Sequence, residues 1–323
     1  MSHTEERLNP EELADAARAA IEDAATRPFA EAAQVLAQAG LTGVCASEED
    51  GGLGLPLAFA VPIAQVAGER GLRFPLAEQM LLARHWPGTE WAQALAAGTR
   101  TATVAWQGTL QSGWAGHARH LPACDWVLVP DHTPEGLGAA LLDVQGLRID
   151  EDPALDPEQP QHWLQCSSAT VLTRLAPDAY AALLHDARLL MAAWAQGAAT
   201  GALQTAVTHV STRVQFGRPL SAKQAVRHML SRMKLLQDVS AAAIERVLST
   251  DEYGQSRSSH TALAGALQHA AFVIEKAIHL HGGMGFTWDV PLHHALREVR
   301  KLDAAFGAGA LASEAGRRFI DSA

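Results

Sequence analysis

From Asp178 to Arg213 the chain runs without a proline and with only two glycines, Gly197 and Gly201. At about 1.5 Å per residue this stretch predicts one helix roughly 50 Å long. A helix of that length with no internal cap needs partners along it, so a bundle is expected. Gly197 and Gly201 lie four residues apart, on one face, where they permit close helix contact; the sequence leaves open whether that contact is within or between chains. Val226, Met229, Leu230, Met233, Leu236, Ala243 and Val247 mark a second amphipathic helix. His260 to Leu280 makes a third, and Pro291 to Phe306 and Leu311 to Phe319 follow.

The chain upstream has a different texture. Asn9-Pro10-Glu11-Glu12 starts a helix to about Thr26, with Asn9 as N-cap, Pro10 in the first turn and Glu12 placed as a capping-box acceptor. Glu31 to Gln38 continues as a helix stopped by Gly40. Further helices are expected over about Leu57–Glu69, Leu76–Ala83 and Trp91–Ala97. From Thr101 the period changes, and 101–106, 126–129, 139–144 and 169–172 read as short strands. Asp150 to Pro160, with three prolines, reads as an extended connection. The order is therefore helices, strands, helices, divided at residues 1–98, 99–175 and 176–323.

Composition narrows the class. With 25 basic and 35 acidic residues the net charge is −10, which argues against a nucleic-acid binder. A hydrophobic fraction of 48% with 19% charged residues suits a globular core. No apolar run is long enough to span a membrane, and Met1–Glu6 has no apolar signal-peptide core. Cys45, Cys124 and Cys166 are too scattered for a disulfide framework or zinc site and read as reduced, cytoplasmic and structural. Among the 15 histidines, the close pairs His117/His120 and His279/His281 lack the carboxylate motif of a metalloprotease, so no metal is expected. There is no GxSxG elbow.

Two segments carry candidate chemistry. Arg213-Val214-Gln215-Phe216-Gly217-Arg218-Pro219-Leu220 ends the long helix and turns into the next, with Ser221 as a candidate cap. Arginine presents five donors in a fixed fork, and with a nearby Gln it suits a diphosphate or an adenine edge. Residues 213–237 hold Arg213, Arg218, Lys223, Arg227, Arg232 and Lys234 and no acid; a solvated helix face is the plain alternative. In His281-Gly282-Gly283-Met284-Gly285-Phe286-Thr287-Trp288, the glycines let backbone N–H groups approach a ligand. A helix precedes this loop and no strand does, so it is not the dinucleotide fingerprint of a parallel sheet; a tight helix-to-helix turn is the alternative. Gly51-Gly52-Leu53-Gly54 reads as structural.

Together these segments resemble the acyl-CoA dehydrogenase family. Leu36-Ala37-Gln38-Ala39-Gly40-Leu41-Thr42-Gly43-Val44 with Glu48–Gly54 resembles its N-terminal helical domain. Arg213-x-Gln215-Phe216-Gly217 with Gln224-Ala225-Val226-Arg227-His228, and Ala277–Asp289, resemble its two C-terminal signatures. The resemblance implies a mainly α, α+β fold: an N-terminal helical domain, a small middle β domain and a C-terminal four-helix bundle. It also implies FAD as cofactor and an acyl-CoA thioester as substrate. A carboxylate takes the α-proton and the β-hydrogen leaves as hydride. Carried over, contacts to the FAD diphosphate and adenine across a subunit interface fall on Arg213, Gln215, Phe216, His279, Gly282 and Gly283. His279 stands where the family has Gln; it can donate to phosphate but is shorter.

The departures are as informative. Aligning Arg297-Glu298-Val299-Arg300 puts Phe306 at the family's catalytic Glu, before Gly307, and counting back from Gly217 puts Ala187 at the alternative Glu. Neither takes a proton. Asp186 and Asp303 are the nearest carboxylates. The family's Thr-Glu-Pro-x-x-Gly-Ser-Asp and Trp-Ile-Thr stretches around the isoalloxazine are missing between Thr101 and Thr173. Three readings follow: a degenerate subunit of a heteromer, whose homologous partner supplies the ring pocket and base, as in members acting on steroid side-chain thioesters; a self-sufficient homo-oligomer using Asp186 or Asp303; and a flavin-free scaffold.

Overall fold

The computed structural model describes residues 9–251, 253–254, 257–307 and 309–321, so the acidic start at Met1–Glu6 lies outside it. The first elements are α1 (Pro10–Ala25), α2 (Phe29–Gln38), α3 (Leu57–Glu69), α4 (Leu76–His85) and α5 (Glu90–Ala96). Asn9 caps α1 by accepting from the Glu11 N–H at 3.0 Å; the reciprocal bond expected of Glu12 is not formed. Gly40 ends the next helix in the left-handed region, at φ 72°.

Eight strands follow: β1 (Ala102–Val104), β2 (Gln107–Thr109), β3 (Trp114–Ala118), β4 (Trp126–Thr133), β5 (Gly136–Asp143), β6 (Ile149–Asp152), β7 (Gln161–Gln165) and β8 (Val171–Leu175). The four strands expected from the sequence are β1, β4, β5 and β8, and they form one sheet in the order β1-β4-β5-β8. The second sheet, β2-β3-β7-β6, was not expected. One of its strands, β6, opens the stretch expected as a bare connection. Ala115, Leu121, Val127, Val129, Ala140, Leu142 and Leu164 fill the space between the sheets.

The long helix is α6 (Pro177–Thr212), of 36 residues. A two-residue hairpin, β9 (Val214–Gln215) and β10 (Arg218–Pro219), links it to α7 (Gln224–Leu248). Then come α8 (Ser259–Leu280), α9 (Leu292–Ala305) and α10 (Ala310–Asp321). Ser221 does not cap α7: Lys223 takes the N-cap position with no side-chain bond, after one 3-10 turn over Leu220–Ala222.

Helix α6 is the spine. Its glycine face lies against α3 of the same chain, which answers the question the sequence left open. A Cβ on Gly197 would stand 1.9 Å from the Gln65 carbonyl oxygen, and one on Gly68 2.0 Å from that of Trp194. Only glycine allows backbones this close. A single apolar cluster accordingly joins α1, α2, α3 and α4 to α6, α7, α8 and α9. The three cysteines are buried and free. Among the described residues no helix is long and apolar enough to cross a membrane, and no group of three or more His, Cys, Asp or Glu could hold a metal.

Candidate functional site

At one end of the bundle α6 runs out at Arg213, whose exposed side chain makes no ion pair among the described residues. The hairpin turns on two consecutive left-handed residues, Phe216 (φ 56°) and Gly217 (φ 73°). That matches strand twist but is strained for a bulky side chain. The Phe216 ring is 90% exposed, with Lys223 Nζ 4.8 Å from its centre. Gln215 is exposed beside it.

Helix α8 ends against the same place. His281 caps it, and Gly282–Phe286 forms a 3-10 turn. Gly282 lies at φ 62°, and a Cβ on it or on Gly283 would meet nothing within 4 Å, so this backbone is open to an incoming group. Gly285 differs, since a Cβ there would sit 2.2 Å from the Ile278 carbonyl oxygen; its role is packing. His279 is exposed on the last turn. The contact uniting the two segments is one that sequence reading missed. The rings of His209 and His281 stack with centroids 4.3 Å apart at 30°. His209 is one turn before Arg213, and that i, i+4 spacing was the available signal. Burial, then the charges of His281 and Arg213, lower the His209 pKa. Met284, Phe286 and Trp288 stand exposed around the turn.

The middle of the molecule is arranged oppositely. Phe306, at the end of α9, lies against Trp106 with ring centroids 4.9 Å apart. Gln107 Nε2 donates to the Ala304 carbonyl at 2.7 Å. The link from β1 to β2 is thus pressed onto the end of α9. Ala187 is fully buried in α6. Asp186 accepts from Arg84 Nε at 3.2 Å and lies 3.1 Å from His85 Nε2. Burial pushes its carboxyl up, but His85, Arg84 and His185 outweigh that and hold it below its ordinary range, a poor setting for a base. Asp303 accepts from the Gly309 N–H at 3.1 Å.

Nearby, a cavity of about 390 Å³ is lined by Phe29, His120, His162, Glu298 and Lys301 among others. Its charges are paired. Arg119 grips the buried Glu78 through Nε at 2.9 Å and Nη2 at 3.1 Å, while Lys301 meets Asp156 at 3.4 Å and also Glu298.

Comparison with known proteins assigns the architecture. Residues 178–318 match the model described as acyl-CoA dehydrogenase, C-terminal domain. The C-terminal region of this chain belongs to the acyl-CoA dehydrogenase family. Members bind FAD and are oxidoreductases. Acyl-CoA dehydrogenase IpdE2 of Mycobacterium tuberculosis is 27% identical over 275 residues, covering 79% of this chain and 76% of that protein. Several other curated acyl-CoA dehydrogenases and a reductase are matched over 107 to 126 residues, the chain then spanning about a third of their length. Among solved structures, a variant of the Tcur3481-Tcur3483 steroid ACAD is 24% identical with a TM-score of 0.84, covering 97% of this chain and 98% of that one. The ChsE4-ChsE5 complex from Mycobacterium tuberculosis is 20% identical with a TM-score of 0.81, covering 96% and 97%. At these identities the structures speak for the fold: helices, small sheets and a C-terminal bundle, as the resemblance implied.

Proposed function

We propose that this chain is one subunit of a heteromeric FAD-dependent acyl-CoA dehydrogenase. It contributes the nucleotide half of a shared FAD site, and a homologous partner contributes the ring pocket and the base. FAD supplies the electron acceptor for α,β-dehydrogenation of an acyl-CoA thioester. The residues of this chain bind and orient. Arg213 and Gln215 offer side-chain donors, the open backbone at Gly282 and Gly283 offers N–H groups, His279 adds an imidazole, and the Phe216 ring gives a flat apolar surface. Exposed Arg213, with no ion pair among the described residues, and unencumbered glycines fit a diphosphate.

The observation that carries the reading is the Trp106–Phe306 contact. At the position aligned with the family's catalytic Glu, an aromatic ring is packed against another, leaving this chain with neither a base nor room for one there. The exposed Phe216, Met284, Phe286 and Trp288 supply a surface that a partner subunit would cover. The names of the steroid ACAD and of IpdE2 favour a bulky CoA thioester as substrate. Buried free thiols favour the cytoplasm as its compartment. Asp186 and Asp303 are engaged elsewhere, which speaks against the self-sufficient reading.

The test is co-expression with homologous acyl-CoA dehydrogenase subunits, followed by flavin absorbance. The expected outcome is a yellow, active mixed complex and a colourless isolated chain. Arg213→Ala in the complex should weaken FAD retention about 100-fold, the loss of roughly 2–3 kcal/mol from a charged hydrogen-bonded contact. A yellow, active protein made of this chain alone would overturn the proposal.

A further inference from the structure

We propose that His209 and His281 are themselves ligands of the diphosphate, a stacked imidazole pair that takes up a proton as the anion binds. This rests on the half-site reading and adds two residues to the contacts that the resemblance implied. The geometry is the argument. The Nδ1 of His281 lies 2.7 Å from the Ala277 carbonyl oxygen, so Nδ1 carries the hydrogen and donates. Nε2 is then the atom left to accept a proton. The His209 ring makes no hydrogen bond among the described residues and is partly exposed.

The groups acting on His209 are His281 from the end of α8 and Arg213 from its own helix, all of one sign when charged. No carboxylate pairs with either ring among the described residues. A stack of two imidazoles beside a guanidinium repels any added proton while alone. An anion carrying two negative charges, set between Arg213 and the open glycine backbone, reverses that balance. One ring then becomes a cationic donor, and the proton comes from solvent. Binding affinity and protonation are linked reciprocally, so affinity must rise as pH falls.

The probe is ADP-ribose, whose diphosphate diester does not titrate between pH 5.5 and 8. It is titrated calorimetrically into the purified full chain, in buffers of different ionisation enthalpy. The expected result is an affinity about tenfold higher at pH 6 than at pH 8, one pKa unit's worth, with proton uptake on binding. His209→Phe keeps a ring in the stack and should flatten the pH dependence to within about twofold. Binding that weakens on Arg213→Ala but keeps its full pH dependence in His209→Phe and in His281→Gln would overturn this inference and spare the half-site reading. ADP-ribose binding that is absent, or indifferent to Arg213→Ala, would overturn this inference, while the half-site reading stands or falls with the flavin content of the mixed complex. Variants whose circular dichroism departs from the parent are replaced by carbon-bound imidazole proton shifts of the unaltered chain. There, a His209 or His281 pKa that rises on adding ADP-ribose supports the inference, and one that stays fixed overturns it.

Discussion

The bundle end and the middle-domain junction treat charge in opposite ways. At the bundle end Arg213 is exposed and has no ion pair among the described residues, Gly282 and Gly283 present bare backbone, and Phe216 stands almost wholly in water. At the junction Arg119 is clamped by Glu78, Lys301 by Asp156, and the Trp106 and Phe306 rings pack against each other. Cations left free are available to a ligand, whereas cations already paired hold the protein together. The two regions thus differ in how their charged groups are engaged, open to solvent at one end and paired within the fold at the other.

The sharpest way to break this contrast is to unpair the joint. Glu78 is fully buried and accepts two bonds from Arg119. Glu78→Ala strands a guanidinium in the interior, with only Glu298, 3.9 Å away, as a distant partner. A destabilisation of about 3–5 kcal/mol is expected from denaturant melts. Flavin retention by the complex, corrected for the folded fraction, should not change. If retention falls while the fold survives, the junction takes part in binding and the contrast is wrong.

How much of this the sequence could tell depended on where the signal was local. Helices were legible because caps and period are local: Asn9 and Pro10 open α1, and the proline-free run gives α6. The sheet β1-β4-β5-β8 was legible because its central strands are continuous apolar runs, buried along most of their length. Its companion was not, because its strands are short, polar and irregular. In β3 Gly116 is required by the Trp163 ring, which a Cβ would approach to 2.2 Å, and His117 turns left-handed at φ 56° where the register slips. A ring across the sheet and a bulge leave no periodic trace. At the site, Arg213 and Gly282 were readable as motifs. The His209–His281 stack and the Trp106–Phe306 contact join distant parts of the chain, and a substitution read from sequence says what is lost without saying what fills the space.

Acidification probes the junction more gently. Burial, with like charge from Arg119, Lys301, His162 and Arg73, pushes His120 down to about 3. The folded value lies below the unfolded one, so the unfolded chain binds the proton first and stability falls as pH drops below about 6.5. Between pH 7.5 and pH 5 this single group should remove about 2 kcal/mol, read as a falling melting temperature. His117 and His162, lowered mainly by burial, act in the same direction. His120→Asn tolerates the left-handed backbone at φ 55° and should make the slope shallower. The bundle-end inference carries the opposite sign, since ADP-ribose affinity there rises over the same pH interval. A single acid titration that weakened both would show that the two regions are one cooperative unit.

The smallest expected effect is the most discriminating. Gln107 reaches from β2 to the end of α9, its Nε2 donating to the Ala304 carbonyl at 2.7 Å. The Ala304 carbonyl also accepts from the Gly307 N–H at 3.1 Å, so the side-chain amide is a second donor to the same oxygen. Gln107→Ala should therefore cost about 1 kcal/mol in urea melts, the net worth of one such bond. The Trp106 and Phe306 rings keep their contact, so the joint loosens without opening. If the middle domain serves only as a joint, flavin retention by the complex stays where it was. A tenfold loss of flavin from so slight a change would mean that the end of α9 is held in place for the cofactor, and that this chain's chamber still takes part in holding it.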